Sequence, residues 1–436
     1  MWIVELLVVL FFIWLGARLG SIGIGFAGGV GVAVLALGFG LAPGDIPIDV
    51  ILIIMSVIAA IAAMQVAGGL DYLVQIAARI LRRNPRHVTV LAPIVTYAMT
   101  LFAGTGHTAF STLPVIAEVA KREGIRPSKP LAIATVASQI AITASPISAA
   151  VVFFAGALEE FGVGYLPLLA ISFPARVAAV MIAAVVTNFL GGDLESDPVY
   201  QERLEKGLVA MPDPGDDAEP ELPAGAKASV FIFLVAIVAV VAYATAISGT
   251  IGLIEDPALG RNEAIMTFML AAATVIALVC RIDTGAVTNA ATFKSGMSAC
   301  VCVLGVAWLG TTFVAAHLDE IQVFAGNLLE SRPWTLAVVL FFASMLLYSQ
   351  AATTRALMPA ALALGVSPVA AIAAFPAVSA LFVLPTYPTL LAAVEFDDTG
   401  STRIGRYVFD HPFLVPGVIT ITLAVAFGFL LAPLVV

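Results

Sequence analysis

Apolar residues run in long uninterrupted stretches across most of the chain, separated by short charged or Pro/Gly-rich breaks. The roughly ten-residue alternating segments of a membrane barrel do not appear. About 20 consecutive apolar residues make a helix long enough to cross the hydrocarbon core of a bilayer. The pattern predicts spans over 2–17, 22–42, 50–68, 131–157, 165–189, 229–247, 263–280, 293–315, 369–393 and 413–433. Two more apolar stretches, 88–120 and 334–366, are interrupted by polar residues near their middles.

The charges around the first interrupted stretch decide how it runs. Arg79, Arg82, Arg83 and Arg86 precede it, and Lys121, Arg122, Arg126 and Lys129 follow it. Basic loops stay on the cytoplasmic side, so both ends of 88–120 face the same compartment. A single crossing cannot return to the side it left. The stretch is therefore predicted to be a re-entrant helical hairpin with its tip near Gly104–Thr108. Counting outward from these loops puts the N-terminus outside, the 190–228 loop inside, Arg403 and Arg406 inside, and the C-terminus outside.

The second half repeats the order of segments. Pro85 matches Pro333, Pro114 matches Pro359 and Pro146 matches Pro388, at offsets of 248, 245 and 242 residues. The loop before the second interrupted stretch carries Asp319, Glu320, Glu330 and only Arg332, and the loop after it, Gly365–Pro368, is uncharged. Equivalent loops therefore prefer opposite sides of the membrane. The expected fold is an all-α polytopic membrane protein of about ten transmembrane helices plus two re-entrant hairpins, in two inverted-topology repeats. Residues 1–190 form the first repeat and 229–436 the second. An acidic cytoplasmic linker, 191–228, joins them, with a flexible Pro212–Asp217 run. Broken helices meeting at midplane in inverted repeats are the architecture of secondary transporters.

Composition adds exclusions. Of 436 residues, 61% are hydrophobic and 11% charged, against about a quarter charged in soluble domains. The net charge of −9 comes mostly from 190–228, where ten acids face Arg203, Lys206 and Lys227, so a nucleic-acid-binding surface is not expected. Cys280, Cys300 and Cys302 form no CxxC pair or His/Cys cluster, and no metal or cofactor is predicted. The first residues, Met1–Glu5, lack a basic region and read as a retained helix rather than a signal peptide. Gly23-Ile-Gly-Phe-Ala-Gly28 matches the dinucleotide fingerprint literally but follows no strand, so it reads as helix packing. With no HExxH, GxSxG or P-loop present, the chain is not read as an enzyme.

Polar groups at membrane depth then mark the candidate site. Irregular backbone is tolerated there only where protein buries it or where it lines a wet cavity. The first hairpin tip offers Thr105, Gly106, His107 and Thr108, and the following helix, broken at Ser145-Pro146, offers Ser138, Gln139, Thr143, Ser145 and Ser148. The second half supplies Gln350, Thr353, Thr354 and Arg355, then Thr386, Tyr387 and Thr389 around two prolines. Hydroxyls in membrane helices often serve only as interhelical glue, and a lone histidine is often satisfied by carbonyls. Arg355 is the more informative residue. A cation at bilayer depth costs roughly 2.5–3.5 kcal/mol and needs a partner, and guanidinium matches carboxylate in a bidentate fork. Arg176, beside Phe173-Pro174, is read instead as pairing with backbone or snorkelling.

Leu70-Asp71, Leu81-Arg-Arg-Asn-Pro85, Ala103-Gly-Thr-Gly106, Ala141-Ile-Thr-Ala-Ser-Pro146, Leu384-Pro-Thr-Tyr-Pro388 and Phe396-Asp-Asp-Thr-Gly400 together resemble the Dcu anaerobic C4-dicarboxylate carriers of bacteria, the A-type branch more than the B-type. The resemblance covers essentially the whole chain. It implies an inner-membrane carrier exchanging fumarate, malate, aspartate and succinate, with proton-linked uptake as a further mode, and a homodimer in the bilayer. It also implies an alternative: a co-sensor acting with a membrane sensor kinase, through residues near Asp397–Thr402.

Overall fold

The computed structural model describes residues 2–19, 22–46, 48–159, 161–209, 221–247, 253–254, 256–317, 332–347, 349–384, 387–406 and 409–436. These residues are helical, with no strand among them. The chain opens with α1 (Trp2–Leu19), α2 (Gly23–Ala33, continuing as a π-helical turn to Gly38) and α3 (Ile48–Val66). The amphipathic α4 (Gly69–Arg83) follows at 71° to the end of α3. Then come α5 (Val88–Ala103), α6 (Ala109–Arg122), α7 (Ser128–Ala141), α8 (Ala149–Glu159), α9 (Tyr165–Asn188) and the short α10 (Pro198–Glu205). Beyond the acidic segment lie α11 (Ala226–Ala246), α12 (Arg261–Cys280), α13 (Thr284–Val287) and α14 (Ala291–Ala316). The chain ends with α15 (Thr335–Leu347), α16 (Gln350–Ala363), α17 (Pro368–Ala374), α18 (Pro388–Glu395) and α19 (Leu414–Val435).

Each predicted span coincides with helix, but length and hydropathy single out fewer of them. Among the described residues, six helices are long and apolar enough to cross a bilayer: 85–103, 128–158, 165–188, 226–246, 262–280 and 414–435. Others reach apolar lengths of only 10–17 residues, such as 2–12, 25–38, 335–345 and 368–382. The helix α4 went unpredicted. Its apolar Leu70, Leu73, Val74, Ala77 and Leu81 recur at helical spacing beneath Asp71, Gln75, Arg79, Arg82 and Arg83, the pattern of an interfacial helix.

Packing sorts the helices into two bodies. The large core joins α5–α9 to α15–α19: α5 lies along α7, α9 lies along α19, α6 packs on α18, and α16 packs on α8. The other body contains α3, α11 and α12 in one apolar cluster and α1, α2 and α14 in another. A Cβ built on Gly305 of α14 would fall 1.9 Å from the carbonyl oxygen of Gly25 in α2, so backbone meets backbone there. This is the helix-packing role expected of the glycine-rich run. Helix α14 also packs on α3 and α16, connecting the two bodies.

Three segments that the charge pattern assigns to one side of the membrane meet in a polar knot. Lys121 pairs with Asp398 at 2.8 Å, and Asp197 receives Arg126 at 2.6 Å and Arg403 at 3.1 Å. Arg203 donates to the Asp398 carbonyl at 2.7 Å, and the Ser128 amide to Ser401 Oγ at 3.1 Å. The first part of the acidic segment is thus docked through α10, which Asp197 caps by accepting from the Val199 amide. The Pro212–Asp217 run lies outside the described residues.

Candidate functional site

The first break follows from its sequence. Pro146 lacks an amide hydrogen and forces the residue before it out of helical backbone, and Ser145 is extended at φ −74° and ψ 125°. Hydroxyls take up the polar groups this frees. Ser145 Oγ donates to the Leu101 carbonyl at 2.7 Å, and Ser148 Oγ donates to the Ile142 carbonyl at 2.6 Å while accepting the Val151 amide at 3.2 Å. The Tyr165 hydroxyl donates to the Pro146 carbonyl. The break is held on both sides.

The hairpin tip is fitted to this break. Gly104 ends α5 at φ +66°, and a Cβ there would lie 3.1 Å from Ile147 Cγ1 and 3.3 Å from its carbonyl oxygen. Only glycine meets both conditions without strain. Beyond it, residues 106–108 form a 3₁₀ turn that brings Gly106 against the Ser138 carbonyl. Thr108 Oγ1 lies 3.2 Å from Thr100 Oγ1 and donates to the Thr105 carbonyl at 3.3 Å. Thr105 is half-buried; the His107 side chain lies outside the described set.

The second half reaches the same place. Ser349 caps α16 by accepting the Ala352 amide. Gln350 Nε2 then donates to the Gln139 carbonyl at 3.1 Å, and Ser379 Oγ approaches the same oxygen at 3.4 Å. Gln139 Nε2 in turn donates to Thr389 Oγ1 at 3.3 Å, just past the second break. Gln139 therefore joins the first break, the second hairpin and the second break. Tyr387 is half-buried before α18, and Thr386 lies outside the described residues.

Many candidate hydroxyls turn out to be committed as donors. Thr143 donates to the Ile140 carbonyl, Ser138 to Thr135, Thr353 to Ser349 and Thr354 to Gln350, all within their own turns. Such back-bonding leaves them lone pairs but no hydrogen to offer an anion. Arg355 differs. It is 2% exposed, its guanidinium lies 5.6 Å over the Phe153 ring of α8, and Nε, Nη1 and Nη2 find no acceptor among the described residues. Phe153 itself packs against Ile54 of α3 and Cys300 of α14, so Arg355 sits where the two bodies meet.

Sequence reasoning passed over two residues here. Ser379, a single hydroxyl in the apolar run 368–383, carried no signal beyond its isolation. Arg176 was discounted, yet its side chain neither snorkels nor pairs with backbone: it is fully buried, and Nε donates to Thr143 Oγ1 at 3.2 Å.

Chemically, the assembly can bind an anion. It offers a guanidinium with no acceptor among the described residues, a buried hydroxyl on Thr389 that accepts from Gln139, and broken helices beside them.

The family model described as anaerobic C4-dicarboxylate membrane transporter matches residues 1–436. The C4-dicarboxylate transporter DcuA of Wolinella succinogenes is 66% identical over 434 residues, covering 100% of both chains. The DcuA of Escherichia coli is 56% identical over 432 residues, 99% of both, whereas an Escherichia coli anaerobic C4-dicarboxylate transporter DcuB is 37% identical over 442, 98% of both. Among solved structures, Neisseria gonorrhoeae MtrF, from a class of antimetabolite efflux pumps, superposes with a TM-score of 0.53 at 14% identity, covering 92% of this chain and 84% of that one; the likeness is one of fold. Whole-length coverage and the higher identity to DcuA place the chain in the anaerobic C4-dicarboxylate membrane transporter family, on its A-type branch.

Proposed function

We propose that the chain exchanges one C4-dicarboxylate for another, fumarate, malate or aspartate against succinate, across the bacterial inner membrane by alternating access. One observation carries the reading: Arg355 holds a guanidinium at the junction of the two bodies with no acceptor among the described residues for any of its three nitrogens. In a C4-dicarboxylate transporter the natural partner for that fork is a substrate carboxylate. Gln139, Gln350 and Thr389 fix the surrounding breaks, and Thr105–Thr108 close the site from the first hairpin.

The proposal includes two inverted repeats, 1–190 and 229–436, with both termini periplasmic. Reciprocal packing supports it: the first hairpin's α6 rests on α18 after the second break, and the second hairpin's α16 rests on α8 after the first. Exchange then proceeds as the body containing both hairpins shifts against the body containing α3 and α14. A homodimer is the proposed assembly, and proton-linked uptake the proposed second mode.

Counterflow tests the reading. Proteoliposomes loaded with unlabelled succinate should accumulate labelled fumarate, with a pH gradient altering net uptake more than exchange. Without counterflow the carrier reading fails, and a co-sensor role is what remains.

A further inference from the structure

The body formed by α5–α9 and α15–α19 carries a charge imbalance at membrane depth. No Asp or Glu occurs in 88–117, 128–158, 165–192, 333–394 or 412–436. Two arginines do occur there, and both are buried. Among the described residues the buried carboxylates are Glu5, Asp197 and Asp397, and each is engaged elsewhere. Glu5 lies 2.6 Å from His317, Asp197 holds Arg126 and Arg403, and Asp397 accepts from the amide of Thr402 and the hydroxyl of Ser401. Among the described residues no carboxylate pairs with Arg355 or Arg176.

Arg176 occupies a particular crossing. It projects from α9, its Nε donates to Thr143 in the first break, and its guanidinium lies 5.6 Å over the ring of Phe375. Phe375 opens the 3₁₀ segment Phe375–Phe382 that leads into the second break. Nη1 and Nη2 find no acceptor among the described residues. Guanidinium keeps its proton in proteins, so both sites stay cationic.

We infer that Arg176 is the second charge-compensating residue of the transport site, and that the site is matched to a doubly ionised dicarboxylate. This rests on the dicarboxylate reading given above. Two fixed positive charges with no acid nearby are neutralised by one dianion and only half neutralised by a monoanion. With a dianion bound the charges of the two buried arginines are balanced, while without it both stay unbalanced. Moving such charges through a low-dielectric barrier is opposed, so return without cargo is suppressed and exchange is favoured over net flux.

The test compares succinate with its monomethyl ester in counterflow at mildly alkaline pH, where one is a dianion and the other a monoanion. The wild type should prefer succinate, and Arg176→Gln should shrink that preference by about tenfold or more. Arg176→Lys, which keeps the charge but loses the planar fork, should retain most of it. An unchanged preference in Arg176→Gln, whether total flux falls or not, overturns the inference and makes Arg176 a packing residue. Should Arg176→Gln fail to fold, loss of the preference in a folded Arg176→Lys overturns it equally. Absence of counterflow in the wild type itself removes the dicarboxylate reading instead.

Discussion

Gln350 donates through Nε2 to the backbone carbonyl of Gln139 at 3.1 Å, and so the start of the second hairpin is hung on the helix leading into the first break. Both residues are buried. Replacing Gln350 by Leu removes this donor, and the remaining contact from Ser379 is long at 3.4 Å. A buried hydrogen bond contributes about 0.5–1.5 kcal/mol. Gln350→Leu should therefore lower the thermal midpoint in detergent and slow exchange, because the hairpin that presents Arg355 loses its anchor. A midpoint equal to that of the wild type in scanning fluorimetry would count against the anchoring role.

Gly104 combines a left-handed backbone with contact to Ile147. Gly104→Ala meets both a conformational cost of about 1 kcal/mol and a crowded Cβ. Trimming the neighbour separates the two effects. Gly104→Ala alone should depress stability and transport, and Gly104→Ala with Ile147→Val should recover only the crowding component. Full recovery in the double variant would show that the backbone conformation does not matter.

Much of this was legible from residue order and charge, and the limits have physical causes. The polar interruption of 88–120 marked the turn that separates α5 from α6, and Ser145-Pro146 announced a break. The amphipathic α4 was missed because its apolar positions alternate with charged ones and form no continuous membrane-length run. Which hydroxyls are free was not legible at all: whether Thr353 donates to Ser349 or to a ligand depends on a rotamer, not on spacing. Arg176 was misjudged because its acceptor, Thr143, lies 33 residues away, across a loop and a break.

The polar knot yields a pH prediction. Burial opposes ionisation of Asp197, but the Val199 amide and the guanidinium groups of Arg403 and Arg126 outweigh it and hold the carboxyl below its usual range. A depressed folded-state value means the stabilisation is complete above the unfolded value of about 3.9 and is lost as pH falls through the folded one. Docking of α10 should thus be unaffected from neutrality to mild acidity and weaken only below the ordinary carboxylate range. Asp197→Asn should expose the same segments at neutral pH. Hydrogen exchange over 194–205 and 399–406 measures both, and protection that decays already near neutrality would contradict the assignment.

Single cysteines report the proposed orientation. In a background free of Cys280, Cys300 and Cys302, a cysteine at Arg126 and one at Ser367 should react with a membrane-impermeant maleimide from opposite faces. Labelling of both from one face would rule out inverted repeats.

Arg355 gives the prediction that separates a binding role from a structural one. A buried cation with no acceptor among the described residues weakens the unliganded fold, so replacing it with an uncharged side chain of similar length should not destabilise the protein. Arg355→Gln is accordingly expected to insert and fold with a thermal midpoint at or above that of the wild type, while losing most dicarboxylate exchange. Ligand should tell the two apart further. A substrate present at about 100 times its dissociation constant stabilises a binding-competent protein by about 2.7 kcal/mol. Succinate should therefore raise the midpoint of the wild type and leave that of Arg355→Gln in place. If Arg355 instead served the fold, the variant would unfold earlier and still respond to succinate, and the guanidinium over Phe153 would be a packing contact rather than a carboxylate receptor.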